Sequence, residues 1–241
     1  MPRTVRALRM AGLVATAGLL IAAESSKSLP PPDLESLRRA LRQAAALLPA
    51  PERPYAHRQE EAKLEIGASV PWDPKAKVWL APAVARATLE YDVPQGAGGV
   101  SAETRDLLAP IEIRLELNGE VRFADLASEG DSPSLFTVRD GTAVEVSLIA
   151  PGAVQGRVAA MTPRQAEYRL TALTLFIGDP ALEASVRSAV KRGTTTRARL
   201  LSTSEPAEVH LIAVQLRGPR KPVESLARRI PASSLRQLLE R

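Results

Sequence analysis

A chain of 241 residues with 45% hydrophobic and 24% charged side chains carries enough apolar material for one large or two small domains, which excludes an intrinsically disordered polymer. Cysteine is absent, so a disulfide framework, thiol chemistry and a lipid anchor on cysteine are excluded as well. The net charge of +5 is unevenly placed: Arg3, Arg6 and Arg9 lie in the first 23 residues, residues 24–185 hold 17 basic and 23 acidic side chains, and residues 186–241 hold 12 basic and four acidic.

The basic final quarter could meet an anionic membrane surface or an acidic protein, or balance the acidic middle of the same molecule. Nucleic acid is not expected as a partner, because the chain has few aromatic residues and no recognised binding motif accompanies its arginines. Six lysines against twenty-six arginines fit a GC-rich coding bias and carry no functional weight.

In chain order, residues 1–23 read as a secretory signal: a basic start, an apolar run from Met10 to Ala23, and small residues before Glu24. The run is shorter than the ~20 residues that span a bilayer, so cleavage near Ala23 is expected, with an uncleaved tether to the inner membrane as the alternative. The expected location is the periplasm or the exterior. Residues 24–60 are expected to hold a solvated linker, Glu24 to Pro32, and an amphipathic helix, Leu34 to Leu48. Asp33 is its predicted cap, and Pro49 and Pro51 end it. This helix serves either to dock on the body or as a stalk.

Residues 61–218 are expected to form a β-rich domain, with 61–134 and 135–218 as two potential subdomains. Ala62 to Val70 and Lys75 to Asp92 read as strands interrupted by Pro71 to Pro74 and by Pro82. Gln95 to Val100 is a glycine-rich turn, and Ser101 is the predicted cap of a short helix reaching Leu108. Gly96 and Gly98 fit two positions of a dinucleotide fingerprint, but Ser101 occupies the third and no lysine follows, so a plain loop is expected. Asn118-Gly119, set between alternating residues from Ile111 to Phe123, predicts a hairpin with a three-residue loop that pairs Leu115 with Val121 and Ile113 with Phe123.

Asp125, Glu129 and Asp131 lie in an acidic loop whose spacing matches no calcium loop. Ala143 to Ile177 contains three apolar runs bounded by Pro151-Gly152 and Thr162-Pro163. Its last part, Leu173 to Ile177, reads as a central strand covered on both faces. Asp179, Pro180 and Gly193 bracket a helix of about 180–192. Thr195 to Ser202 and Glu208 to Leu216 read as strands that turn at Glu205-Pro206. Residues 219–241 form a helical tail, with one helix around Val223 to Arg229 and another after Ser234, where Ser234 and Gln237 have capping-box spacing. The expected class is mainly β (α+β), an antiparallel barrel or sandwich-like domain with one N-terminal amphipathic helix, one capped helix in mid-chain and short C-terminal helices.

Chemistry can be enumerated because only two histidines occur. His57, in "HRQEE", has Glu61 where an inverted zinc-protease motif needs its second histidine. His210, in an apolar run, reads as a core or sheet-face residue. No glycine-flanked serine elbow occurs, so no catalytic, cofactor-binding or metal residue is assigned, and no cofactor is expected.

The stretch Leu135 to Leu200 resembles the β-barrel region of periplasmic adaptor proteins, the membrane fusion proteins of bacterial efflux and secretion systems. The resemblance rests on "LFTVRDGTAVEVSL", Pro151-Gly152, "GRVAAMTP" from Gly156, "LTLF", and "VKRGTTTRARL" from Val190. Looser echoes of the family's lipoyl-like portion are "DPKAKVWLAPAV" from Asp73 and "EGDSPSLF" from Glu129. The long helical hairpin of that family has no counterpart here. The resemblance therefore implies a reduced, non-enzymatic adaptor that binds an inner-membrane or periplasmic protein partner. A secreted hydrolase or a ligand-binding domain is the alternative.

Overall fold

The computed structural model describes residues 25–59, 61–98, 101–105, 107–119, 134–138, 141–147, 167–178, 184, 188 and 203–239. The predicted leader, the acidic loop at Asp125, Pro151-Gly152, Thr162-Pro163 and the strand at Thr195 lie outside them. Of the helix predicted over 180–192, Ala184 and Ser188 are described, and both are helical.

Eleven strands are named in chain order: β1 (Ser25–Ser28), β2 (Ala56–His57), β3 (Lys63–Ile66), β4 (Ser69–Asp73), β5 (Val78–Trp79), β6 (Ala85–Asp92), β7 (Ile111–Leu117), β8 (Ser134–Val138), β9 (Gly141–Ser147), β10 (Leu170–Ile177) and β11 (Ile212–Pro219). The helices whose bounds lie within the described residues are α1 (Pro31–Ala46), α2 (Ala102–Arg105), α3 (Arg220–Arg229) and α4 (Ala232–Arg236). The class is mainly β, as expected. A three-stranded sheet has the order β1-β4-β5, and an eight-stranded sheet runs β2-β6-β7-β11-β10-β9-β8, with β3 also pairing β6. Every pairing is antiparallel. Among the described strands the sheets stay open and do not close into a barrel.

Alternation on the central strands makes the core. Leu115 sits between Ala87 and Val214, and Val214 in turn pairs with Leu175. The next rows join Ala85, Leu117, Ile212 and Ile177, and Leu89, Ile113, Leu216 and Leu173. All but Leu89 in these rows are buried, and each leucine or isoleucine so buried contributes about 1.5–3 kcal/mol.

Helices cover this face. Leu37, Leu41 and Ala44 of α1, one helical stripe, are fully buried, and α1 packs on β6 and β7. The small Ala85 and Ala87 of β6 lie fully buried where it docks. The helix is therefore a docking element and not a stalk. Over β10 and β11 lie α3, through Val223, Leu226 and Ala227, and α4, through Ala232 and Leu235. Gly218 lets α3 turn tightly off β11: a Cβ there would come 2.9 Å from Ile111 Cγ1 and 3.2 Å from Pro110 O.

Several local expectations need correction. The pairing expected of a hairpin after β7 is not the one Leu115 and Ile113 make: β6 and β11 occupy both edges of β7, with Leu115 between Ala87 and Val214 and Ile113 between Leu89 and Leu216, while Val121 and Phe123 lie outside the described residues. In the register found Glu116 faces Arg86, and Glu112 stands between Arg217 and Glu90, whereas the expected hairpin would set Glu116 against Glu120 and Arg114 against Arg122. Asn118 has φ 56°, but its side chain serves as a buried clamp. Its Nδ2 donates to Ala83 O (3.1 Å) and Glu208 O (2.7 Å), while its Oδ1 accepts from His210 N (2.8 Å) and Leu211 N (3.3 Å). That clamp holds Glu208 to Leu211 off the ladder, so β11 starts at Ile212 and not at Glu208.

Helix α1 starts at Pro31, ahead of Asp33. Pro31 and Pro32 fill the first positions, where a missing N–H costs nothing, and Asp33 lies in the first turn, where the helix dipole favours a carboxylate. Likewise α4 begins at Ala232, so Ser234 lies inside it and Gln237 closes it. Burial of Ala232 and Leu235 against β10 decides the start there. The linker expected from Glu24 to Pro32 holds strand β1 and the buried Leu29.

Pro71 does not break β4. Its carbonyl accepts Leu80 N–H at 2.9 Å, so its missing donor faces β5, and the β1 side of the ladder loses no bond. The expectation for Leu173 to Ile177 holds: β10 lies between β9 and β11, and all five residues are buried.

Candidate functional site

Among the described residues, the histidines do not meet the groups a catalytic or zinc site would need. His57 is exposed on the short edge strand β2, its ring 4.2 Å from that of Tyr91. Its neighbour Arg58 pairs with Glu90 (3.1 Å) and Asp92 (3.5 Å). His210 is held by its backbone in the Asn118 clamp, and its Nε2 lies 3.7 Å from Glu208 Oε2. Among the described residues no three His, Cys, Asp or Glu side chains are placed to hold a metal ion. Asp125, Glu129 and Asp131 lie outside those residues.

The glycine-rich turn is closed locally. Gly96 has φ 86°, Arg105 Nη2 donates to Ala97 O (3.1 Å), and Ser101 Oγ accepts Thr104 N–H (3.2 Å), which makes Ser101 the predicted cap. Helix α2 lasts only four residues, shorter than the reach to Leu108 that was expected.

Two concavities stand out. One, about 610 Å³, runs between the outer side of α1, the segment Ser204 to Val209 and the end of the chain. It presents Asp33, Glu205 and Glu208 against Arg39, and Glu208 is also the residue beside His210.

The other, about 350 Å³, is more specifically built. Four segments distant in sequence supply it: Arg53 to Tyr55, the cap Ser101 and Thr104 of α2, Tyr168, and Lys221 and Ser225 of α3. The Arg53-Pro54 bond is cis. Tyr55 is buried, and its hydroxyl donates to Ala109 O at 3.1 Å. Burial, and then the nearby Tyr168, push its ionisation well above the usual tyrosine range. Lys221 Nζ lies 2.9 Å from Glu167 and 6.0 Å from the Tyr168 ring. Ser225 Oγ donates to Glu52 Oε1 at 3.0 Å.

Such a surface can stack a ligand on tyrosine and hydrogen-bond it through hydroxyls. A tyrosine kept protonated and already donating is a poor base or nucleophile, so Tyr55 itself is suited to hold its hydrogen bond and not to take a proton. Nothing in the sequence marked Tyr55, Tyr168 and Lys221, because the residues between them span more than a hundred positions. The only local hint was the Pro-rich run around Pro51 and Pro54.

Among the described residues of the basic end, three cations of α3 pair with carboxylates of the same molecule. Arg220 pairs with Glu224 (2.6 Å), Lys221 with Glu167 (2.9 Å) and Arg229 with Glu52 (3.7 Å). No described helix is long and apolar enough to cross a membrane. Comparison with protein families, with characterised proteins and with solved structures returns no match.

Proposed function

We propose that this chain is an exported, non-enzymatic adaptor or assembly protein of the bacterial cell envelope, acting by contact with a protein partner. One observation supports the reading. Of the residues that resemble the adaptor barrel, those described, 135–138, 141–147 and 173–176, fall on β8, β9 and β10, contiguous antiparallel strands at one end of the sheet, and among the described strands β8 has β9 as its sole neighbour; the stretches at Pro151-Gly152, 156–163 and 190–200 lie outside the described residues. A strand end of that kind can accept a further strand from a partner. Export follows in this reading from the leader over residues 1–23. Contact with anionic lipid through the basic end plays a lesser part, given the ion pairs that α3 makes.

The test is purification from envelope fractions in mild detergent. Recovery in a stoichiometric complex is expected, and recovery of a soluble, monodisperse protein alone would overturn the proposal. Substituting Thr137→Pro in β8 should reduce partner recovery if strand addition is the mode of contact. The Tyr55 groove favours a second reading, an exported ligand-binding domain. Soaking with a mixed library of small glycans and peptides, read by chemical-shift changes at Tyr55 and Tyr168, checks it.

A further inference from the structure

Both tryptophans of the chain lie on the small sheet, and the first strand of that sheet crosses them. Trp72 of β4 and Trp79 of β5 pack edge to face, with ring centroids 4.9 Å apart at 67°. Lys27 of β1 places its Nζ 4.3 Å from the Trp72 ring and 5.4 Å from that of Trp79. It does so because Lys27 stands opposite Val70 and diagonal to Trp72, on the same side of the sheet.

Beyond its four-residue ladder with β4, little else holds β1. Its four residues are all exposed, Ser25 Oγ donates to Trp72 O (2.9 Å), and Leu29 just beyond it is buried, its N–H on Ala68 O (2.9 Å). The strand beneath is secured without it. β4 pairs β5 through Trp72 and Trp79, Leu80 N–H reaches Pro71 O, and Trp79 bridges to Thr203 in the body of the molecule.

We infer that the edge of β4 is a strand-acceptor site, filled in this structure by β1 and open to an extended peptide that offers a lysine or arginine where Lys27 stands. Leu29 is the fixed end, Ser25–Ser28 is the part that leaves, and the tryptophan pair selects the cation. Backbone bonds supply attachment and the aromatic faces supply choice, as in strand addition to a sheet edge. The acceptor is a property of this chain alone, so its failure would leave the envelope-adaptor reading standing.

Because no other tryptophan exists, tryptophan emission of the full chain reports on this site. Acrylamide quenching should increase in Lys27→Glu with far-UV circular dichroism unchanged. A synthetic peptide of sequence SSKSL should restore the shielding, and it should bind roughly two- to fivefold more tightly than SSASL, the advantage expected of a cation over an aromatic face. Lys27→Pro, which removes a ladder donor as well as the charge, is the second variant. Titration of the unmodified chain with SSKSL, where displacement should need higher peptide concentration, depends on neither variant's folding. Equal binding of the two peptides, or no peptide effect on emission in any of the three proteins, overturns the proposal. So does a dimer by ultracentrifugation in which one copy's β1 fills the other's edge.

Discussion

The two faces of the large sheet are built by opposite rules. On one, alternate residues of β6, β7, β11 and β10 form continuous apolar rows under α1, α3 and α4. On the other, β6 and β7 carry Arg86, Thr88, Glu90, Glu112, Arg114 and Glu116, joined by contacts such as Arg86 to Glu116 at 2.6 Å and Arg114 to Glu112 at 3.0 Å. Toward β10 this second face changes character, since Ala172, Thr174 and Phe176 are buried. Stability resides on the helix-covered face, whose apolar pattern also fixes the register; of the two ion pairs, Arg86 to Glu116 crosses from β6 to β7 and Arg114 to Glu112 lies along β7.

The largest expected effect is on the apolar face. Leu115→Ala, at the centre of its row, should cost about 2–5 kcal/mol in urea unfolding, by lost burial and the cavity left behind. At the end of β7, Asn118→Ala should cost about 2–4 kcal/mol, because it strands buried backbone groups at Ala83, Glu208, His210 and Leu211. Asn118→Gly keeps the left-handed backbone but not the bonds, so a comparable loss there assigns the effect to the clamp.

Tyr55→Phe should cost about 1 kcal/mol at neutral pH, the net worth of its bond to Ala109. It should also change the alkaline limb. The folded tyrosine is held protonated above its usual range, so its contribution is complete below the unfolded pKa of about 10 and declines as pH rises from there toward the folded value. The variant should lose stability less steeply over that interval, as unfolding curves at increasing pH will read.

Smaller still, Arg86→Ala on the polar face should cost about 0.2–1 kcal/mol and the difference should shrink with added salt. A cost equal to that of Leu115→Ala would break the comparison between the faces. The least effect is expected at the turn between β4 and β5. There Asp73 accepts N–H bonds from Ala76 and Lys75, and these hold its carboxyl below the usual range. Its stabilisation is present above the unfolded pKa and is lost as pH falls through the lowered folded value. Asp73→Asn should flatten that acid limb, measured by melting temperature against pH.

Much of this architecture could be read from periodicity. The alternation from Ile111 to Leu117, the unbroken apolar run Leu173 to Ile177 and the leucine spacing of α1 each report a face that is buried, and local pattern suffices for that. Partners are another matter. Asn118-Gly119 has the chemistry of a hairpin turn, yet β7 pairs with strands on either side that come from elsewhere in the chain, and no local signal separates a turn asparagine from a clamping one. Starts of helices failed for a related reason: Asp33 and Ser234 are good caps, but proline geometry at Pro31 and burial of Ala232 outweighed them. The groove at Tyr55 was illegible because its walls are assembled by the fold from segments that share no motif.

The position of β11 has a bearing on how the molecule comes into being. It lies between β7 and β10, and its partners on β7 precede it by about a hundred positions. The middle of the sheet therefore stays unfilled until nearly the whole polypeptide has been made, and closing so long a loop is slow. A chain of this design cannot complete the described sheet while β11 is still on the ribosome.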